Sequence, residues 1–245
     1  MSIAFPEIRV GEPVRHETLA VFPLFAPSSS EVDYQLSHEA LGTDVVTVKE
    51  VSEAGSVPDL LVENKGDVRV LFLEGEELVG AKQNRILNTS VLVAAHSTTR
   101  IPVTCVEQGR WRFRTAHFAS GGTHSPSMLR CCLKASVSRS VKAGGPHRSD
   151  QGAVWQEVAR QQEALGAFSD TGAMSDTFEA NRKRLDEFRE KVQYVEGASG
   201  VAVAVRGKVV AVDLFDKPST CQRVWHRLMS GFVLDAIESG QAEHQ

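Results

Sequence analysis

Three short apolar runs lie close together in the middle of the chain, and polar residues follow each of them. The runs cover residues 68–73, 90–95 and 101–106, and their length and β-branched content predict buried strands. Carboxylate, amide and guanidinium groups are concentrated where these runs end. A fold built on this pattern must gather polar side chains at its strand ends, so we expect a functional site there.

The segments around these runs indicate the fold class. We predict a helix over residues 34–41, a hairpin of residues 57–63 and 68–73 around the loop 64–67, and a second hairpin of residues 201–205 and 209–215. Helices are expected from Asp150, from Ser175 or Asp176, and from Pro218. This order favours an α+β fold, with a mostly antiparallel β-sheet core and flanking helices, over regular βαβ winding.

We expect one domain over residues 1–245. It comprises an extended arm and first strand over residues 1–33, mobile basic loops over 112–150 with one short element at 128–137, and helices plus a hairpin over 151–245. Hydrophobic residues make up 42% of the chain and charged residues 24%, which is typical of a folded globular protein. No apolar run approaches the roughly 20 residues needed to span a bilayer, and no signal-like leader begins the chain. We therefore expect a cytoplasmic protein without membrane contact.

Positive charge is concentrated in one segment although the net charge is −4. Between Arg100 and Arg148 the chain has nine Lys and Arg residues and one acid, Glu107. Such a segment attracts anions, so an anionic small molecule is the favoured partner and nucleic acid a compatible but less favoured one. The alternative is a solvated loop whose charges pair with the acidic remainder. The sequence does not specify an oligomeric state.

Glu107 is a candidate acid or base because of the residues before it. Side chains alternate along residues 101–107, which places Glu107 on the same face as Val103 and Cys105. Desolvation at the end of such an apolar row raises the pKa of a carboxyl group unless a cation offsets it. The alternative is a buried structural ion pair between Glu107 and Arg110.

A second polar group follows the first run. Glu74 and Glu76 share a face if the strand continues, so they are paired carboxylates, ligands for a divalent cation, or simply a charged strand end. Lys82, Gln83, Asn84 and Arg85 come next and supply hydrogen-bond donors for an anion or a carbonyl group. Common phosphate-loop, H-E-x-x-H, C-x-x-C and G-x-S-x-G motifs are lacking, so no metal ligand and no cofactor is assigned.

Four segments of the sequence resemble one known family. They are GEELVGAKQNR, IPVTCVEQGRW, QGAVWQEV and VAVAVRGKVVAVDLFD, and together they resemble the ARG and rhodanese-phosphatase-superfamily-associated protein domain. The family's name records genomic association with ADP-ribosylglycohydrolases and rhodanese-phosphatase proteins, so the resemblance implies a context and not a particular reaction. Carried onto this chain, the family motif falls on Glu76, Glu77, Gln83, Asn84, Arg85, Glu107, Arg110 and Trp111.

Two hypotheses for function follow. In the first, the chain binds or hydrolyses a phosphorylated nucleotide or an ADP-ribose-like ligand, with Glu76 and Glu107 as acid and base. In the second, the same residues form a non-catalytic binding or protein-interaction module. We expect Gly75, Glu76, Arg85, Glu107 and Arg110 to converge in space. The candidate ligand-binding residues are Glu77, Lys82, Gln83, Asn84, Arg85, Arg110 and Trp111.

Overall fold

Helices and mostly antiparallel strands make up the computed structural model, which describes residues 6–28, 30–43 and 45–241. The predicted α+β class is therefore confirmed. In chain order the elements are β1 (Arg9–Val10), β2 (Val14–His16), β3 (Leu19–Phe25), β4 (Tyr34–Leu36), α1 (Ser37–Ala40), β5 (Val46–Glu50), β6 (Asp59–Asn64), β7 (Arg69–Phe72), β8 (Glu76–Gly80), β9 (Arg85–Leu87), β10 (Val91–Val93), β11 (Ser97–Cys105), β12 (Phe118–His124), α2 (Ser127–Lys142), α3 (Gln151–Ala164), α4 (Met174–Ala180), α5 (Arg182–Lys191), β13 (Gly200–Val205), β14 (Lys208–Leu214) and α6 (Pro218–Gln241).

The elements fall into two compact units. Unit 1 combines the two ends of the chain, up to residue 32 and from residue 181 onward, and unit 2 is the continuous segment 33–180. Each unit has its own sheet structure. No helix of the described residues is both long and apolar enough to cross a membrane.

Unit 2 is built on six strands that close into a barrel in the order β11-β6-β5-β12-β8-β9. Burial alternates strictly along β5 and β6, so every second side chain of these strands points into the core. Val48, Leu60, Val62 and Leu78 belong to the resulting hydrophobic cluster. The barrel thereby fixes which side chains of β8, β9 and β11 point inward.

The predicted hairpin of residues 57–63 and 68–73 is wrong. The turn itself forms, since Asn64 Oδ1 accepts a hydrogen bond from the Gly66 amide at 3.0 Å. However, β6 pairs with β5 and β11, whereas β7 pairs with β10 and, in parallel, with β4. The turn therefore passes the chain from the barrel to a separate three-stranded sheet, β10-β7-β4.

Three other segments differ from their predictions. Residues 34–41 begin as β4 and only then form the short α1. The sequence predicts mobile loops over residues 112–150 with one short element at 128–137, but this segment contains β12 and the 16-residue α2. β12 has little apolar alternation and is held by backbone pairing with β8, while α2 buries Leu129, Leu133 and Val137 at a spacing of four residues. The single helix predicted from Ser175 is two helices, α4 and α5.

Unit 1 contains a five-stranded sheet whose main path is β1-β3-β13-β14, with β2 also paired to β3. The predicted hairpin of β13 and β14 is confirmed, as is the terminal helix α6. The predicted helix from Asp150 in unit 2 is also confirmed, because Asp150 Oδ1 accepts a hydrogen bond from the Ala153 amide at 3.1 Å. Met1–Phe5 of the predicted arm lie outside the described residues.

Candidate functional site

Glu107 and Arg110 form a buried, bidentate ion pair in unit 2. Arg110 Nε donates to Glu107 Oε1 at 2.7 Å, and Arg110 Nη2 donates to Glu107 Oε2 at 2.6 Å. Thr171 Oγ1 donates to Oε1 at 2.9 Å, and the backbone amide of Asn84 donates to Oε2 at 3.0 Å. Both carboxylate oxygens are therefore held by two donors each, as in the ion-pair alternative raised from the sequence.

The same guanidinium group holds the loop that follows β11. Arg110 Nη1 donates to the Ala81 carbonyl at 2.7 Å and to the Arg112 carbonyl at 3.1 Å. Arg110 Nη2 also donates to the Gly80 carbonyl at 3.2 Å and to Asn84 Oδ1 at 3.0 Å. The ion pair therefore ties the β8–β9 turn to the start of the loop at residues 110–117.

Arg85 begins β9, a strand of the barrel, and is fully buried, with 0% of its surface exposed. Its Nη1 donates to the Gln83 carbonyl at 2.8 Å and to Gln83 Oε1 at 3.0 Å. Its Nη2 lies 3.7 Å from Glu50 Oε1, which is an ion-pair contact too long for a hydrogen bond. Nε and Nη2 of Arg85 and Oε2 of Glu50 have no hydrogen-bond partner.

Aromatic rings and a second cation lie next to Arg85. The Trp111 ring centroid is 5.5 Å from the Arg85 guanidinium carbon and 5.5 Å from Lys82 Nζ. Lys82 Nζ is also 5.0 Å from the Phe113 ring and donates to the Glu53 carbonyl. Trp111 is 48% exposed and Phe113 54% exposed. This corner therefore combines two cations with two aromatic surfaces open to solvent.

Glu76 and Glu77 are adjacent in β8 and have different surroundings. Glu76 Oε2 accepts a hydrogen bond from Ser37 Oγ at 2.5 Å, and the backbone of Glu76 pairs with His124. Glu77 Oε2 accepts from Thr123 Oγ1 at 2.8 Å, while Glu77 Oε1 has no hydrogen-bond partner. Successive side chains of a strand point to opposite faces, so the two carboxylates cannot act at one point.

The buried groups also differ in the direction of their pKa shifts. Burial raises the pKa of Glu77 to about 7, opposed by the Thr123 hydrogen bond and reinforced by the negative charges of Glu107 and Asp176. Burial also acts to raise the pKa of Glu107, but hydrogen bonds from Arg110, Asn84 and Thr171 outweigh it, so this pKa is lowered. Burial lowers the pKa of Arg85.

The structure therefore brings together part of the predicted set. Gln83 Nε2 donates to the Glu107 carbonyl, so Arg85 reaches the Glu107–Arg110 pair through Gln83 and Asn84. Gly75 lies beside His124, and Glu76 Oε2 accepts a hydrogen bond from Ser37; the convergence of these two residues with the others stays a prediction. Glu74 binds two cations of α2, Arg130 at 3.2 Å and Lys134 at 3.3 Å.

Sequence reasoning missed Glu50, Thr123 and Thr171. A signal for Glu50 was present, because it ends an alternating row after Val46 and Val48, which is the pattern that singled out Glu107. The two threonines had no such signal, since they reach the site through pairing and packing of distant segments.

One group of potential metal ligands occurs within the described part of the chain, in unit 1. Ligand atoms of His16, Glu17 and Glu187 lie within 4.8 Å of one another. Arg184 already binds Glu17 at 2.7 Å and Glu187 at 2.8 Å, so a cation would have to displace it.

Comparison with known proteins identifies one family. The model of the ARG and Rhodanese-Phosphatase-superfamily-associated Protein domain matches residues 7–245. The searches of curated proteins and of solved structures find no match.

Proposed function

Because the chain belongs to the ARG and Rhodanese-Phosphatase-superfamily-associated Protein domain family, we propose that it binds a small anionic ligand of the nucleotide or ADP-ribose class. The family description associates it with ARG proteins, which we take to be ADP-ribosylglycohydrolases. In this proposal the phosphate groups interact with Arg85 and Lys82, and a ring of the ligand stacks on Trp111.

The observation that carries the proposal is that Arg85 is buried and has N–H groups without hydrogen-bond acceptors. A buried N–H group without a hydrogen-bond acceptor costs about 1 to 3 kcal/mol, and Arg85 has such groups at both Nε and Nη2. A phosphate group supplies several acceptor oxygens and the negative charge that a guanidinium group binds best. Because Arg85 is fully buried, the proposal requires that a neighbouring side chain, such as Trp111 at 5.5 Å, moves to admit the phosphate.

The pairing of Glu107 supports binding rather than turnover at that residue. A general acid or base must be able to exchange a proton, whereas both Glu107 oxygens are occupied by donors and the pKa of its carboxyl group is lowered. The main alternative to ligand binding, a protein-interaction module, is supported by the exposed rings of Trp111 and Phe113.

Hydrolysis remains a second candidate because of Glu77. Its carboxyl group has a pKa of about 7, which suits a general acid near neutral pH. In a hydrolytic version of the proposal Glu77 takes the role predicted for Glu107. The prediction that Glu76 is catalytic is separate from this version, because Glu76 and Glu77 point to opposite faces of β8.

Thermal unfolding with ADP-ribose, ADP, AMP, adenosine and inorganic phosphate tests the proposal. ADP-ribose and ADP are expected to stabilise the chain by about 2.7 kcal/mol at a concentration 100 times their Kd, and adenosine much less. Trp111→Ala is expected to weaken nucleotide binding by about 1 to 3 kcal/mol through loss of stacking. Phe168→Ala is the matched control, because Phe168 is 84% exposed and outside the site.

Two results would contradict the proposal: no stabilisation by any nucleotide, or equal binding by the Trp111→Ala and Phe168→Ala variants. Turnover of a bound nucleotide that Glu77→Gln abolishes without loss of binding would assign the hydrolytic version.

A further inference from the structure

One edge of the sheet in unit 1 exposes valines on a strand that has a partner on one side only. β14 is the last strand in the order β1-β3-β13-β14, and no other strand of the described residues pairs with it. Val209 is 65% exposed and Val212 57% exposed, and Val210 is 36% exposed. Unpaired backbone groups beside exposed apolar side chains form a surface to which another strand can add.

A β-bulge arranges the two most exposed valines on one face. Val209 pairs with Ala204 and Val212 pairs with Ala202, so two residues separate the valines while only one separates their partners. Opposed residues of an antiparallel pair point to the same side, and residues 202 and 204 share a face. Val209 and Val212 therefore form one apolar strip along the edge.

We propose that β14 is a self-association edge, which pairs in antiparallel fashion with β14 of a second copy of this chain. The strand begins with Lys208, continues with four apolar residues and then has Asp213. An antiparallel arrangement sets the Lys208 end of one copy against the Asp213 end of the other, whereas a parallel arrangement places like charges together. The strand is thus complementary to itself, as a two-fold symmetric interface requires.

The bulge and the length of β14 limit the strength of this association. The strand has seven residues, and the bulge interrupts its regular hydrogen-bonding pattern. A contact of this size lies below the area of permanent dimer interfaces. The dimer therefore forms reversibly and depends on protein concentration.

Sedimentation velocity of the full chain from low to high micromolar concentration tests the inference. The mass is expected to rise from 26.7 kDa towards twice that value as concentration increases. Val209→Lys combined with Val212→Lys is expected to raise the dimer dissociation constant by about tenfold or more, because it places cations on the apolar strip. Val10→Lys is the matched control, since Val10 is 58% exposed and lies in β1 at the opposite edge of the same sheet.

A second variant tests the charge pattern separately. Lys208→Glu sets an acid against Asp213 of the other copy and is expected to weaken the dimer, without changing the melting temperature at a low concentration where the parent is monomeric. Circular dichroism verifies that each variant is folded. A chain that stays monomeric at every concentration would overturn the inference, and so would a Val209→Lys, Val212→Lys variant that dimerises as the parent and the Val10→Lys control do.

Discussion

Glu77 and Glu107 are both nearly inaccessible to water, yet their pKa values move in opposite directions. The Glu107 carboxylate faces the Arg110 guanidinium group and accepts two further hydrogen bonds, from the Asn84 backbone amide and from Thr171 Oγ1. Glu77 accepts a hydrogen bond from Thr123, with a smaller contribution from the Ser175 backbone, and is repelled by two other carboxylates. Burial therefore does not decide the charge state of a glutamate in this barrel, because the partner of each carboxylate does.

The raised pKa of Glu77 predicts a pH-dependent stability. The folded chain keeps the Glu77 proton up to about pH 7, whereas the unfolded chain loses it near the ordinary value of 4.5. The contribution of the protonated Glu77 to the free energy of unfolding is therefore fully present below pH 4.5. It is lost as pH rises and does not change further above pH 7. Glu77→Gln is expected to stabilise the chain by about 3 kcal/mol at about pH 8 and to have little effect near the low end of this range, as measured by urea unfolding.

Glu107→Gln is the control, with the opposite sign expected. It leaves Arg110 buried without its counter-charge, which lowers the free energy of unfolding by about 3 to 5 kcal/mol at neutral pH. Because the folded pKa of Glu107 is lowered, this stabilising interaction is present above 4.5 and is lost as pH falls through the folded value. Equal effects of both substitutions across the pH range would contradict the assigned charge states.

At the scale of the element, α6 depends on Trp225. The side chain is 1% exposed, its Nε1 donates to the Val192 carbonyl at 2.9 Å, and its ring meets Tyr194 edge-on. Trp225→Ala is expected to lower the free energy of unfolding by about 3 to 5 kcal/mol and to leave nucleotide binding by the folded fraction unchanged. Trp111→Ala, the same chemical change at an exposed site, is expected to weaken nucleotide binding and to leave the free energy of unfolding nearly unchanged. Loss of binding in Trp225→Ala at an unaltered melting temperature would contradict a purely structural role.

The elements that could be predicted are those whose signal is local. The β13–β14 hairpin, the Asp150 cap of α3 and the start of α6 each depend on residues close together in sequence. β8 and β12 could not be predicted, because a polar strand gains its place from backbone pairing across the barrel. The same limit applies to the site: alternation located Glu107 at the end of an apolar row, but only pairing of distant strands sets Arg85 beside Glu50.

At the scale of the whole molecule, the connectivity of the chain couples the folding of the two units. β3 lies before residue 33 and β13 after residue 180, so their pairing closes the whole of unit 2 into a loop. Closing a flexible loop of more than 100 residues costs about 5 kcal/mol of chain entropy. That cost is smaller when unit 2 is folded and holds its two ends at a fixed separation. By reciprocity, folding of either unit favours folding of the other.

We predict a single domain over residues 1–245. Because folding of the two units is coupled, the chain is expected to unfold in one cooperative transition. Phe232→Ala in unit 1 and Phe72→Ala in unit 2 remove equal side chains that are both fully buried, so each is expected to lower the same transition. Calorimetric and van't Hoff enthalpies should agree in the parent chain and in both variants. Single-tryptophan variants separate the units, since Trp225 reports on unit 1 and Trp155 on unit 2. Two transitions, each sensitive to only one of the phenylalanine substitutions, would show that chain closure does not couple the units and would contradict the single domain.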